Sequence, residues 1–247
     1  MVDRVTADLG AADRPHKEGT MRTQMRFTML STFLATLLLS GVTGCASMNK
    51  AGNGAVIGAA AGGAVGGVIG NQTGSTTRGA IIGAVVGGAA GAIIGHQMDQ
   101  RAKDITQNVP GATVERVGEG IQVTFPSGLL FDFDSDVIRS NAAANLNSLA
   151  RNLSKYGDSN LMVAGHTDAV GSSEYNQGLS NRRAESAARY LNGRGVTHHI
   201  ATAGLGEREP VASNTTEAGR QQNRRIEVAI YASAALQEDA RRQAAGR

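Results

Sequence analysis

The stretch "NLMVAGHTDAVGSSEYNQGLSNRRAESAARYL", residues 160–191, joins a short apolar run, a polar loop and a segment with helical periodicity. The run at 160–165 predicts a buried strand, because short apolar runs bounded by turn residues suit strands better than helices. Between Asn176 and Leu191 the apolar residues recur at helical spacing, and Gly193 lies just past the end of this predicted helix. A strand that leads through a short loop into a helix is typical of a sheet covered by helices.

The segments on either side of this unit extend the sheet. Alternating apolar residues flank Gly118-Glu119-Gly120 and predict a β-hairpin. The remaining elements are a helix at 138–153 and strands at 199–204 and 224–231. The predicted order is β-β-α-β-α-β-β, an α+β domain with a mixed sheet and two helices on one face. We place this domain at 111–232, since about 120 residues are enough for one core. The tail at 233–247 is expected to be a short exposed helix or a frayed end.

Composition and charge exclude several classes of function. The chain has 247 residues, a net charge of +3 and no tryptophan. It has no basic stripe with interleaved aromatic residues, so nucleic acid is a poor candidate partner. The single cysteine excludes an intramolecular disulfide and a cysteine zinc site. Because the histidines lack a paired spacing that suits a metal, we expect neither a metal nor a cofactor.

The N-terminal region has the features of a bacterial lipoprotein signal. In "MRFTMLSTFLATLLLSGVTGC" a short basic start, an apolar run and small residues lead to Cys45. We assign 25–44 to the signal peptide and exclude 1–24 as a leader or mis-assigned start. The ending "VTGC" resembles a lipobox, which implies that Cys45 is lipidated and becomes the mature N-terminus; a small buried thiol behind an ordinary signal is the alternative. Two or three acyl chains anchor a protein stably. In lipoproteins with such a signal, an aspartate after the cysteine usually implies retention in the inner membrane. Ala46 stands there instead, which favours the outer membrane, with the chain on its periplasmic face.

Two glycine runs follow the cysteine. Residues 54–70 and 79–95 carry a glycine at every fourth position, with alanine, valine and isoleucine between them and no charge. In water each glycine would destabilise a helix by about 1 kcal/mol relative to alanine, whereas a glycine ridge lets two helices approach closely in a membrane. We predict a glycine-zipper helical hairpin within 45–110, each helix about 25 Å long. A flexible spacer is the alternative, and the pattern leaves open whether the hairpin spans the bilayer.

His166, Thr167 and Asp168 follow the central strand and raise the question of catalysis. A hydrolytic triad needs a nucleophile on a sharp turn, and no G-x-S-x-G occurs. We therefore expect no enzyme and assign His166 to packing. Binding suits these residues better, because Asp168 lies beyond the strand end, where α/β-type sheets place ligand crevices. The following helix presents its N-terminus and Arg183, so a zwitterion with its ammonium at Asp168 and its carboxylate at Arg183 would fit.

Two motifs carry a resemblance to a known family. The segments "GHTDAVGSSEYNQGLSNRRAESAARYL" and "GLGEREPVASNTTEAGRQQNRRIEV" resemble, in this order, the OmpA-like C-terminal domain. The resemblance implies non-covalent binding of peptidoglycan through the meso-diaminopimelate of its stem peptide. Matched by motif position, the ligand-binding residues are Asp168, Arg183, Asn176, Arg224 and Asp134. Members of the family often have asparagine in place of Asp134, and an acid there would favour the ammonium but oppose the carboxylate.

Two arginines beside the matched ones are expected to be surface charges. Arg182 and Arg225 are the sequence neighbours of Arg183 and Arg224, and we assign both to solvent. For the matched pair an alternative is an internal salt bridge between Asp168 and Arg183 that only links loop and helix.

With its lipobox and glycine runs, the whole mature chain resembles the YiaD-like outer-membrane lipoproteins. One function hypothesis is a module that tethers the outer membrane to the cell wall. The other is a membrane-active or channel-assisting protein, with the glycine hairpin as its functional part and the wall-binding domain as its anchor. The sequence leaves open any protein partner and the oligomeric state, including a homo-oligomer.

Overall fold

A mixed five-stranded sheet organises the globular part of the chain. The computed structural model describes residues 74–246; the leader, the signal peptide, Cys45 and the first glycine run lie outside this range. The sheet has the spatial order β1-β2-β5-β3-β4, with strands β1 (Thr113–Val117), β2 (Gly120–Pro126), β3 (Ser159–His166), β4 (Ile200–Gly206) and β5 (Arg225–Ala232). Strands β3 and β4 are parallel, and the other neighbours are antiparallel. The expected α+β class with a mixed sheet is confirmed.

The helices of the described region are α1 (Thr76–Gly83), α2 (Gly88–Asn108), α3 (Ser127–Leu130), α4 (Ala143–Ser154), α5 (Ser173–Gly193), α6 (Glu217–Asn223) and α7 (Ala234–Ala244). The expected order is confirmed, since α4 follows the hairpin and α5 joins β3 to β4. Helix α4 begins at Ala143 rather than at residue 138. The reason is that Ile138 instead pairs with Phe131 in an isolated antiparallel bridge, so the chain between them forms a loop.

One face of the sheet carries the larger apolar core. We expected α4 and α5 on this face, and α2 and α7 join them there. Leu146 and Leu149 of α4, and Ile94 and Met98 of α2, are fully buried in one cluster with the sheet. Helix α7 is not simply exposed, because Leu236 is buried in the same cluster. Segments on both sides of the predicted domain therefore contribute to its core.

The opposite face of the sheet is covered by α1. Ala80 and Ile81 of this helix, with Ala84 directly after its end, pack on Met162 and Tyr231 in a second apolar cluster. Removing a side chain such as Ile81 from water stabilises the fold by about 1.5–3 kcal/mol. The last part of the glycine-rich region is thus packed on the globular domain.

Side-chain hydrogen bonds fix the N-terminus of α1 to this face. The N–H and the hydroxyl of Thr76 both donate to the Glu209 carboxylate, at 3.1 and 2.5 Å from its Oε1. The hydroxyl of Thr77 donates to Glu227. We call these two contacts, Thr76–Glu209 and Thr77–Glu227, the α1 clasp.

Glu227 is a buried charge beneath α1. Its side chain is 2% exposed, accepts a 2.7 Å hydrogen bond from Nε of Arg225, and lies 3.7 Å from Nε2 of His166. Burial alone would raise the pKa of Glu227, but the neighbouring His166 and Arg225 lower it to about 2. The expectation that Arg225 is a solvated surface charge is wrong, because strand alternation directs it to the face that α1 covers. His166 is fully buried on this face, as its assignment to packing requires.

The second glycine run does not form one continuous helix. It is divided between the end of α1 and the start of α2, and Gly87 and Gly88 between them have positive φ angles of 72° and 61°. Glycine adopts this conformation readily, and most other residues adopt it only rarely. Gly91 lies against Glu119, whose carboxylate accepts the N–H groups of Val86 and Gly87 at 2.8 Å each. Pairing of the two glycine runs stays a prediction, because the first run lies outside the described residues.

The sequence leaves open whether the glycine hairpin crosses a bilayer. Within residues 74–246, no helix combines the length and the apolar character needed to cross a membrane.

Candidate ligand-binding site

A cavity of about 640 Å³ opens beside the start of α5. The five residues matched by motif all line it, and they are Asp134, Asp168, Asn176, Arg183 and Arg224. They come from the loop before α4, the loop after β3, the helix α5 and the residue before β5. The fold therefore gathers all of the predicted ligand-binding side chains around one cavity.

Close packing of α5 on the sheet positions one wall of this cavity. Gly165 of β3 lies against the backbone of Ser180, so any side chain at this position would collide with the helix. Asp168 follows two residues after the end of β3. Ser172 then caps α5 by accepting the N–H of Tyr175 at 3.2 Å. The short loop thus holds the Asp168 carboxylate next to the first turn of α5.

Arg183 is a buried guanidinium with no carboxylate within salt-bridge distance among the described residues. It is 5% exposed, its Nε donates to the carbonyl of Ser135 at 2.9 Å, and its Cζ lies 5.3 Å from the centre of the Phe131 ring. Burial lowers the pKa of Arg183, and the carboxylates of Asp134 and Asp136 only partly oppose this effect. Since a guanidinium has five N–H donors in a planar fork, Arg183 retains donors for an anion.

Asp168 supplies a buried negative charge at the cavity. Its Oδ2 pairs with Nη1 of Arg224 at 2.5 Å, and its Oδ1 accepts the N–H of Val170 at 3.0 Å. Arg224 also pairs with Glu217 at 2.6 Å. Burial would lower the pKa of Arg224, but its hydrogen bonds to Glu217 and Asp168 raise it. The alternative salt bridge between Asp168 and Arg183 does not form, because Asp168 is paired with Arg224 instead.

Asn176, in the first turn of α5, is held by two acceptors. Its Nδ2 donates to the main-chain carbonyl of Asp168 at 3.2 Å and to Oε2 of Glu207 at 2.7 Å. Asn176 is 2% exposed but lines the cavity. Sequence reasoning missed Glu207, because an acid in the turn "GEREP" has the appearance of a surface charge.

The loop before α4 forms an apolar rim. Asp134 has a φ of 55°, and no other described residue except glycine has a positive φ. Aspartate and asparagine adopt this conformation more readily than most residues, so either one suits the position. Phe133 is fully exposed, and with Val170 and Tyr175 it lines the cavity. From this loop the sequence analysis selected Asp134 but did not predict the exposed aromatic ring of Phe133.

The arrangement suits non-covalent recognition of a zwitterion. A carboxylate and an amide lie on one part of the wall, and an unpaired guanidinium lies on another. Charge-assisted hydrogen bonds of this kind are the strong ones in proteins. In the part of the chain that the structure describes, no group of three or more His, Cys, Asp or Glu side chains could hold a metal ion.

Comparison with known proteins identifies the class of two parts of this chain. The OmpA family matches residues 130–224, which contain Asp134, Asp168, Asn176, Arg183 and Arg224. The YMGG-like Gly-zipper family matches residues 21–99. The chain therefore carries an OmpA family domain preceded by a glycine-zipper segment.

Individual proteins resemble this chain over the same region. The probable lipoprotein YiaD of Escherichia coli strain K12 is 37% identical over 121 residues, which cover 49% of this chain and 55% of YiaD. The peptidoglycan-associated lipoprotein of Buchnera aphidicola is 36% identical over 120 residues, which cover 48% of this chain and 65% of that protein. The chain thus spans less than two thirds of either relative. A solved MotB-like protein from Desulfovibrio vulgaris has the same fold, with 22% identity and a TM-score of 0.53 over 58% of this chain and 96% of that chain.

Proposed function

We propose that this chain binds peptidoglycan without covalent chemistry and tethers the outer membrane to the cell wall. One observation carries the proposal: Arg183 is buried in the cavity of Asp168 but has no carboxylate partner among the described residues. A buried cation without a counter-ion is costly, and a ligand carboxylate would supply that counter-ion. The ammonium of the same ligand would then face Asp168.

The free end of meso-diaminopimelate has the required chemistry. It carries an ammonium and a carboxylate on one carbon, so it is complementary to the Asp168 carboxylate and the Arg183 guanidinium. Each charged hydrogen bond would contribute about 1.5–3 kcal/mol. Binding requires no bond in the ligand to break, and we therefore propose a binding protein rather than an enzyme.

The relatives support this assignment by their names. One is a peptidoglycan-associated lipoprotein and the other a probable lipoprotein, and this chain carries the same OmpA family domain. We propose the outer membrane as its location, with Cys45 as the lipidated residue and the domain on the periplasmic face. The second glycine run packs on the domain through α1 and α2. The membrane-active alternative would therefore have to depend on the first run, residues 54–70.

Isolated sacculi and the purified full-length chain in detergent provide the test. Asp168→Ala should lose most of its binding to sacculi while its circular dichroism stays that of the wild type. Asp239→Ala is the matched control, because Asp239 is an exposed carboxylate on α7. Soluble meso-diaminopimelate should compete with sacculi. Nα-acetyl-lysine amide, which has an ammonium but no carboxylate on the same carbon, should compete far less. Undiminished binding by folded Asp168→Ala, or equal competition by Nα-acetyl-lysine amide, would contradict the proposal.

A further inference from the structure

We propose that Glu207 is a positioning residue that directs the side-chain oxygen of Asn176 toward the ligand's ammonium. This inference rests on the proposed function, since it concerns the same cavity. It starts from the two hydrogen bonds of Asn176 Nδ2, to the carbonyl of Asp168 and to the carboxylate of Glu207. Both partners are acceptors only.

These two partners decide which way the carboxamide of Asn176 is turned. If the amide were rotated by half a turn, its oxygen would face a carboxylate and a carbonyl, and both hydrogen bonds would be replaced by repulsion. Nδ2 of Asn176 lies 3.2 Å from the carbonyl oxygen of Asp168, whereas its bond to the Glu207 carboxylate is shorter, at 2.7 Å. Glu207 is therefore the stronger determinant of the orientation.

The orientation has a consequence for the cavity. With the nitrogen of Asn176 occupied, Oδ1 is left as an acceptor and lies on the side of Gly171, which also lines the cavity. Asp168 belongs to the same loop as Gly171 and also lines the cavity. An ammonium placed there meets two acceptors, one charged and one neutral. An ammonium has three N–H donors and accepts no hydrogen bond, so a rotated amide would present a donor to it and repel it.

Glu207 acts through Asn176 and does not itself line the cavity. It follows directly after β4, and Asn176 lies in the first turn of α5. The hydrogen bond thus links the end of β4 to the helix that carries Arg183. The sequence does not reveal this link, because Asn176 and Glu207 are 31 residues apart.

A double-mutant cycle tests the inference with soluble meso-diaminopimelate as the titrant and calorimetry as the readout. Asn176→Ala should weaken binding about tenfold, and Glu207→Ala about three- to tenfold. The double variant should be no weaker than Asn176→Ala, because Glu207 has no other route to the ligand. Glu207→Gln should stay within about twofold of the wild type, since its side-chain oxygen can still accept from Asn176.

Glu209→Ala is the matched control. Glu209 is two residues further along and bonds Thr76 rather than Asn176. This variant should lower the melting temperature through the α1 clasp and leave the affinity unchanged. The side-chain amide resonances of Asn176 should shift in Glu207→Ala and not in Glu209→Ala.

Three results would overturn the inference: wild-type affinity in Glu207→Ala, effects of Glu207→Ala and Asn176→Ala that multiply in the double variant, or a Glu207→Gln variant as weak as Glu207→Ala. The last would show that Glu207 acts by its charge. In each case the loss of binding in Asp168→Ala would still support the proposed function. If Asp168→Ala also binds normally, the proposed function itself fails.

Discussion

Replacing Arg183 by methionine should separate binding from stability. Methionine fills much of the space of the arginine stem but has no charge and no donor. The guanidinium that it removes is 5% exposed and has the main-chain carbonyls of Ser135 and Asp132, rather than a carboxylate, as its hydrogen-bond partners. Arg183 is therefore expected to be required for the ligand and dispensable for the fold.

The two effects can be estimated from the contacts of Arg183. The lost hydrogen bond to Ser135 costs about 1 kcal/mol of folding stability, while relief of the buried, unpaired charge returns a similar amount or more. The melting temperature should thus stay within a few degrees of the wild type or rise, since about 1 kcal/mol shifts a domain of this size by roughly 2–4 °C. Binding loses a bidentate contact and leaves a ligand carboxylate unpaired, a loss of about 2–5 kcal/mol. At about 1.4 kcal/mol per factor of ten, affinity falls by roughly thirty- to several-thousandfold.

Thermal melts and calorimetric titration with meso-diaminopimelate measure the two effects on one sample. Arg182→Met is the matched control, because Arg182 is the adjacent residue of α5 but is half exposed and pairs with Asp136 at 3.4 Å. Arg183→Lys should bind more weakly than the wild type, since a point charge cannot reproduce the guanidinium fork. A large drop in melting temperature together with retained binding in Arg183→Met would refute the reasoning, because Arg183 would then be a structural residue.

Three further outcomes are expected. The pKa of Glu227 lies at about 2 in the folded chain against an ordinary value of 4.5, so Glu227 contributes about 3 kcal/mol of stability that is complete above pH 4.5 and is lost as the pH falls toward 2. In thermal melts, Glu227→Gln should accordingly be less stable than the wild type at pH 7, and its stability should change less between pH 4.5 and 2. The same pH dependence in both proteins would contradict this. The fragment 111–232 should have a lower melting temperature than the fragment 74–247 and should bind a dye for exposed apolar surface, since it lacks α1, α2 and α7. Equal melting temperatures would show that these helices contribute nothing to stability. Cys45→Ala should lose palmitate labelling and membrane association, and a mature N-terminus mapped elsewhere without acyl mass would contradict lipidation.

The strands and the site residues were accessible from sequence because their signals are local. Period-two alternation identifies the hairpin and β5, and an apolar run followed by helical spacing identifies β3 and α5. The motifs then place Asp168 and Arg183 at defined positions relative to those elements. The structure gathers both residues in one cavity, as the strand-end rule for ligand crevices predicts.

The remaining features depend on contacts between distant segments. Arg225 alternates along β5 as a solvent-facing residue would, and only the docking of α1 on that face makes it buried. Asp168 pairs with Arg224 rather than with Arg183, because the fold brings Arg224, the residue before β5, next to the loop after β3. Gly87 belongs to the period-four pattern, which predicts a glycine ridge along a helix, but it lies at the turn between α1 and α2. The spacing alone does not distinguish the two, because the turn depends on a contact with the distant Glu119.

The α1 clasp also defines a path for mechanical load. A pull on the chain before residue 74 reaches the domain through the first turn of α1, where Thr77 is bonded to Glu227. Glu227 accepts a hydrogen bond from Arg225, and the preceding residue, Arg224, donates one to Asp168 in the cavity. In the proposed tether, force between membrane and wall would therefore run through four consecutive residues at the start of β5. Because β5 is the central strand and pairs with β2 on one side and β3 on the other, the load would enter the sheet at its middle.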